Sequence, residues 1–337
     1  MNRSEKVKKY FLCGLIIFSC FILVGCGKYG EKDIIKDLSK KTETKGYYLS
    51  GQLEIANNDD NYMYDVEVAY AKENNFRVSL KNQTNNHEQI ILKNSDGVYV
   101  LTPSLNKSFK FQSEWPYNNS QAYLLQTILK DIEDDENRLF EETEDGYTFT
   151  TSVNYSNNNN LIKQKINFDK DVNIKDVTIY NDKDELQMKM TFSGIDYKAT
   201  YDDSYFTLKG NMSDIEPETE NTSKTLESII YPMYIPKNTE LSGQEKMMTE
   251  NGERIILTFS GDNPFMLVQE TINQTEKLLT IPMLGEPYII TDTVGALSDT
   301  SVTWVSNGVE FYVISDVMDT NQLLEVANSI NTMTVGK

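Results

Sequence analysis

In the stretch Tyr62-Met63-Tyr64-Asp65-Val66-Glu67-Val68-Ala69-Tyr70, large apolar side chains fall on every second residue, with Asp65 and Glu67 between them. Side chains of a strand point alternately to opposite faces, so this spacing predicts a strand with one apolar and one wet face. The alternation continues outward. Upstream it takes in Tyr47, Leu49, Leu53 and Ile55; downstream it takes in Phe76, Val78 and Leu80. Asn94-Ser95-Asp96-Gly97 is a turn signal between Ile90–Leu92 and Val98–Leu101, and Phe109 and Phe111 begin another strand. Strands resume at Tyr147–Val153, break at Asn157–Asn160, and run on through Ile162–Phe168, Val177–Ile179 and Leu186–Phe192. Phe206 and Leu208 close the series. Residues 46–210 thus read as about ten antiparallel strands, a sheet long enough to curl.

Helices are few. Ile34, Ile35 and Leu38 share a face at helical spacing ahead of the first strand. Ala122, Leu125, Ile128, Leu129 and Ile132 do the same within the sheet region, with Asn118 or Ser120 expected as the cap. The acidic run Asp131–Glu136 reads as a solvated helix end. Asp169-Lys170-Asp171-Val172-Asn173 has calcium-like spacing at its start. Ile174 and Tyr180 stand where a calcium loop needs glycine and glutamate, so a strand-connecting turn is expected. The economical arrangement is a curved sheet with an apolar concave side and a covering helix. That side is either a filled core or an open groove for an acyl chain.

Residues 211–225 interrupt the pattern with Asp214, Glu216, Glu218 and Glu220 among Pro217, Thr219 and Ser223, a self-repelling linker. A second unit, 226–337, follows. It opens with a short helix expected over Leu226–Tyr231. Strands are expected at Ile255–Phe259, Met266–Val268, Tyr288–Ile290, Val302–Val305 and Val309–Ile314. Asp319 and Gln322 resemble a capping box for a closing helix. Trp304, opposite Phe311 and Tyr312, reads as core. The fold class is α+β: an antiparallel half-barrel followed by a smaller α+β domain.

The start of the chain points to a compartment. Arg3, Lys6, Lys8 and Lys9 precede an apolar run from Tyr10 to Leu23, shorter than the ~20 residues a spanning helix needs. The run ends in Leu23-Val24-Gly25-Cys26, which resembles the bacterial lipobox. Residues 1–25 are therefore expected to be a removable signal. Cys26 is expected to carry a diacylglycerol on the outer face of the membrane, with 26–45 as the anchor-proximal segment. Two acyl chains at ~0.8 kcal/mol per buried methylene hold such a protein stably.

Without residues 1–25, 28 Lys+Arg stand against 50 Asp+Glu, a net charge of −22. Nucleic acid is disfavoured, because phosphate binding relies on basic residues. Attraction of the protein surface to anionic lipid is disfavoured too. Cys13 and Cys20 lie in the expected signal and Cys26 is expected to be acylated, which would leave no disulfide and no thiol nucleophile. One histidine, His87, cannot make a Cys/His zinc site. It sits in a polar turn, where a structural role is expected over a catalytic triad. No cofactor or metal is called for. An enzyme using carboxylates alone survives the count without any paired-acid motif to support it.

The stretches His87–Asn94 and Asp96–Pro103, together with Ser104-Leu105-Asn106-Lys107-Ser108-Phe109-Lys110-Phe111-Gln112-Ser113-Glu114-Trp115-Pro116, resemble the LolA-like lipoproteins of spore-forming Firmicutes. Within that group the chain is most similar to the YdcC-type sporulation lipoproteins, with the GerS-type germination lipoproteins as shorter relatives. Residues 227–330 resemble a DUF4367-like module, through Tyr231-Pro232-Met233-Tyr234-Ile235-Pro236, Gln269-Glu270, Thr303-Trp304 and Glu325-Val326-Ala327-Asn328-Ser329-Ile330. The resemblance implies a half-barrel with helices over its mouth. For the germination lipoproteins it implies binding of a cell-wall amidase that makes spore-cortex muramic lactam.

Two functions follow as expectations: a non-enzymatic accessory lipoprotein that binds an envelope or cortex protein, or a binder of acyl chains on the concave sheet face. Phe109, Phe111, Trp115 and Pro116 are the candidates for lining or gating that face, with plain core packing as the competing role.

Overall fold

The computed structural model describes residues 29–330 apart from 58–59, 156–157, 213–224, 227, 250–251, 273–278 and 291. The expected signal, Cys26 and most of the acidic linker lie outside the described residues. Helix α1 (Glu31–Thr42) leads into β1 (Gly46–Asn57), β2 (Asp60–Ala71), β3 (Asn75–Asn82), β4 (Glu88–Asn94), β5 (Gly97–Thr102) and β6 (Lys107–Phe111). Helix α2 (Leu125–Asp134) then precedes β7 (Leu139–Glu142), β8 (Gly146–Ser152), β9 (Leu161–Asp169), β10 (Ile174–Asn181), β11 (Leu186–Asp196) and the short α3 (Leu208–Met212).

The second half contains β12 (Thr239–Thr249), β13 (Gly252–Gly261), β14 (Phe265–Thr271), β15 (Leu279–Met283) and β16 (Glu286–Ile290). It continues with β17 (Thr293–Leu297), β18 (Ser301–Ser306), β19 (Val309–Ile314) and α4 (Thr320–Asn328).

The first sheet has strand order β15-β6-β5-β4-β3-β2-β1-β11-β10-β9-β8-β7 and is open at both ends. Its register aligns the apolar positions into rows. One row runs Ile281, Phe109, Val100, Ile91, Val78, Val68, Leu49. A second runs Leu53, Met190, Val177, Ile166, Phe149, Phe140. Both rows belong to one apolar cluster, so the two wings of the sheet curl around a shared core. They join at β1 and β11, where the register slips between Ser50 and Gly51. A β-bulge there sharpens the local twist. A Cβ on Gly51 would sit 2.1 Å from the Thr191 carbonyl oxygen, so the bend requires glycine.

Helix α1 buries Ile34 and Leu38 and holds its place through Arg138 Nε donating to Glu31 at 2.6 Å. Helix α2 buries Leu125, Ile128, Leu129 and Ile132, the face the spacing predicts. The expected cap is not observed: Leu124 occupies that position, and Ser120 is tied to Asn154 instead. The Asp169–Asn173 segment is a turn, with the Asp169 carboxylate accepting from the Asp171 and Asn173 amides and Val172 in the left-handed region.

Phe206 and Leu208 are not a strand. Phe206 folds back with Tyr201, Tyr205 and Met212 to cover Ala69, Leu92 and Leu101 on the convex side. That surface was expected to be wet.

The second sheet, β12-β13-β14-β19-β18-β17-β16, packs Leu257, Leu267, Phe311 and Val313 with α4. Asp319 caps α4 by the expected reciprocal box with Gln322. Trp304 is core, stacked on Phe311 at 5.1 Å. The expected helix over Leu226–Tyr231 is absent among the described residues. The Gln269 side chain accepts from the Ile230 N–H and donates to its carbonyl, and Pro232 disfavours helical backbone just before it. Strand β15 leaves this half altogether and pairs in parallel with β6, completing the first sheet.

Candidate functional site

The concave face of the half-barrel is where a ligand would enter, and its floor is laid by the rows above. Tyr47, Phe76, Phe149 and Phe168 are fully buried in it. The Tyr47 hydroxyl donates to Gln126 of α2 at 2.6 Å, which ties the covering helix to the sheet. Burial holds the phenols of Tyr47, Tyr123, Tyr155 and Tyr288 above the usual tyrosine range, so all four stay neutral. Burial also pushes the Asp131 carboxyl on α2 up to about 6, opposed by its hydrogen bonds with Ser120 and Gln164.

The second sheet closes the remaining mouth. Val294 and Ala296 of β17 enter the half-barrel core, with Ile281, Met283, Ile289 and Val305 packed against it. Phe109 and Phe111 face this cover. They line a cavity of about 10 Å³ with Val100, Met283, Val294 and Ala296. A second cavity of about 20 Å³ lies beside His87, Gln89 and Asp292, and a third of about 40 Å³ among Leu53, Tyr123, Tyr155, Met188 and Tyr288. These hold a water or a few, against the hundreds of Å³ typical of ligand sites.

Trp115 is buried against Phe76, its backbone N–H donating to Ser113 at 2.9 Å, and Pro116 beside it is buried too. Ser113 in turn donates to Glu286 of β16 at 2.5 Å. The structure thus brings Phe109 and Phe111 to the seam between the halves, and puts Trp115 in the core one step behind it.

Polar groups lock the seam. Gln89 Oε1 accepts from the Val294 N–H and from Thr293 Oγ1 at 2.9 Å, while its Nε2 donates to the Val294 carbonyl at 3.0 Å. Ser108 and Thr280 share a hydrogen bond of 2.7 Å, and Asn158 donates to the Tyr288 hydroxyl at 2.8 Å. Lys107 is buried and lies within electrostatic reach of Glu310 and Glu270. Desolvation lowers the Lys107 ammonium and raises the Glu310 carboxyl, each outweighing the attraction between them. Arg254 forks onto Glu270 at 2.9 and 2.6 Å.

Neither Gln89 nor Lys107 stood out among the expected site residues. The signal was there: each is a polar side chain in step with an apolar concave row, two residues before Ile91 and Phe109 respectively.

His87 lies in the expected turn, its N–H donating to Asn85 and its carbonyl accepting from Asn82. Among the described residues no group of three or more His, Cys, Asp or Glu is placed to hold a metal. No helix among them is long and apolar enough to cross a membrane.

No family model matches the chain. Among solved structures the chain is loosely similar to the MucA/MucB complex of Pseudomonas aeruginosa, with 12% identity, 89% of this chain and 97% of that one covered, and TM-score 0.33. It is loosely similar to the CwlD amidase–GerS lipoprotein complex of Clostridioides difficile, with 14% identity, 50% and 96% covered, and TM-score 0.31. Likenesses this loose say nothing of what this chain binds. The sporulation protein YdcC of Bacillus subtilis (strain 168) is 33% identical over 331 residues, covering 97% of this chain and 98% of that protein. With that identity running through both sheets, the chain belongs to the family of the sporulation protein YdcC.

Proposed function

We propose that this is a lipid-anchored, non-enzymatic accessory protein of sporulation that works by binding a protein partner of the cell envelope or spore cortex. The observation that carries the reading is the occupied concave face. The chain's own aromatic residues fill it, and β16 and β17 cover what remains, with cavities of about 10, 20 and 40 Å³. An acyl chain enters only if the second sheet leaves. The sporulation relative supports the process, and the resemblance to the LolA-like lipoproteins, which include the germination lipoproteins as shorter relatives, supports a cell-wall amidase as the partner class.

In this reading residues 1–25 are removed, Cys26 carries the diacylglycerol outside the membrane, and 211–225 link the half-barrel to a DUF4367-like module. That module serves as the cover. Affinity capture from sporulating cells, paired with cortex analysis of a deletion strain, tests it. Recovery of a cell-wall enzyme and loss of muramic lactam are expected. Capture without such an enzyme, together with normal cortex, overturns it. A Cys26→Ser variant that is still processed and retained at the membrane overturns the anchor.

A further inference from the structure

The second sheet has an outer face that its own core does not use. The register sets Ile256, Val268 and Tyr312 side by side, and next to them Thr258, Met266 and Ile314. Their neighbours along each strand, Leu257, Leu267 and Val313, turn the other way into the core with α4. The five apolar members of this panel belong to neither large apolar cluster. Met266 is 41% exposed and the rest are half-buried. Scattered apolar residues on a surface need no explanation, but two adjoining rows on one sheet face mark a contact surface.

The panel continues an interface already in use. Along the same face, Tyr312 and Ile314 adjoin Glu310 of β19, and β18 follows with Thr303 and Val305. Thr303, Val305 and Glu310 line the seam cavity with Phe109 and Phe111. One sheet face therefore covers the half-barrel at one side and remains open at the other. The open side ends at exposed Glu245, which pairs with Ile256. The whole chain carries a net charge of −19. A second copy or an anionic membrane would bring like charge to this surface, whereas a basic partner is attracted to it.

We infer that the outer face of the second sheet, centred on Ile256, Val268, Met266 and Tyr312, docks a protein partner whose contact patch is apolar and bordered by Lys or Arg. This rests on the partner-binding reading above and places the contact on the cover, away from the half-barrel's concave side.

A photo-crosslinking amino acid, p-benzoylphenylalanine, at position 266 of the full chain in sporulating cells tests it, with position 162 on β9, 41% exposed, as control. Adducts identified by mass spectrometry are expected to join position 266 to a different protein. Their yield should fall about thirtyfold, the loss typical of one disrupted hot spot, on Ile256→Asp. Thr258→Arg, at a polar position of the same panel, should lower the yield in the same way and separates lost docking from lost folding.

No adduct at 266 above that at 162 overturns the inference. So does an adduct to this chain's own peptides or to lipid. An amidase captured by the full chain with none crosslinked at 266 refutes the surface and leaves the partner reading standing. A crosslinked partner that is no cell-wall enzyme keeps the surface and removes the amidase.

Discussion

Replacing Gln89 by leucine should loosen the cover from the half-barrel without unfolding either sheet. Leucine nearly matches glutamine in size, so the cost comes from the polar groups it abandons. The pairing of β17 with β18 includes Ala296 and Leu297 and stops short of Val294, whose N–H and carbonyl turn to Gln89. Two buried backbone groups losing a partner cost about 1–3 kcal/mol each. The adjoining cavities of about 10 and 20 Å³ let water in to meet part of that need, which keeps the total near the lower end, about 2–3 kcal/mol. Hydrogen exchange followed by mass spectrometry should then show residues 293–297 exchanging roughly 30- to 150-fold faster, with β8–β10 unchanged. Urea unfolding should show the loss as an early shoulder. A variant within about 0.5 kcal/mol of wild type, with unchanged exchange at Val294, refutes the claim that these bonds hold the seam.

Asp131 gives a pH signature. Its carboxyl is about 6 in the fold against 3.8 unfolded, so the native state binds the extra proton and stability falls as pH rises from about 3.8 to 6. Asp131→Asn should flatten that slope and gain about 1–3 kcal/mol at pH 7; parallel urea midpoints for both proteins from pH 4 to 7 would contradict it. Phe149, fully buried between Phe140 and Phe168 at 5.1 and 6.1 Å, should cost about 3–5 kcal/mol on change to alanine, read from denaturant unfolding at fixed slope. Asp319→Ala should cost about 1 kcal/mol, with faster amide exchange in the first turn of α4 as the local mark. Native mass spectrometry of the protein without its anchor should find no bound acyl chain; a stoichiometric lipid would mean the cover opens.

The half-barrel was legible because Tyr64, Val66 and Val68 and their counterparts bury one face each, and burial on one face leaves a period of two in the residues. Helix α2 was legible for the same reason at a longer period. Its start was not, because the Ser120 hydroxyl accepts from the Asn154 N–H and bonds Asp131 farther along the helix rather than capping the first turn. Leu226–Tyr231 looked helical in composition, yet the decisive partner, Gln269, sits far along the chain. Strand β12 escaped notice because both its faces are largely wet, and adjacent Met247 and Met248 break any alternation. The candidates Phe109 and Phe111 were recognisable as inward-facing. What covers them was not, since no local pattern encodes the docking of residues 281–305 on a strand nearly two hundred positions earlier. Gln89 and Lys107, polar intruders in apolar rows, were the traces that docking left.

The parallel union of β15 with β6 joins Ser108 to Thr280, 172 positions downstream. During synthesis the backbone amides and carbonyls of Lys107–Phe111 that point away from β5 must therefore wait for most of the polypeptide to appear before they are paired. Until then they form a bare rim, with Phe109 and Phe111 beside it, that any passing extended segment could extend. Assembly of this protein is consequently gated by its tail: a chain halted before residue 279 would keep a nearly complete sheet and an adhesive margin, and would be prone to clump rather than merely to lack a module.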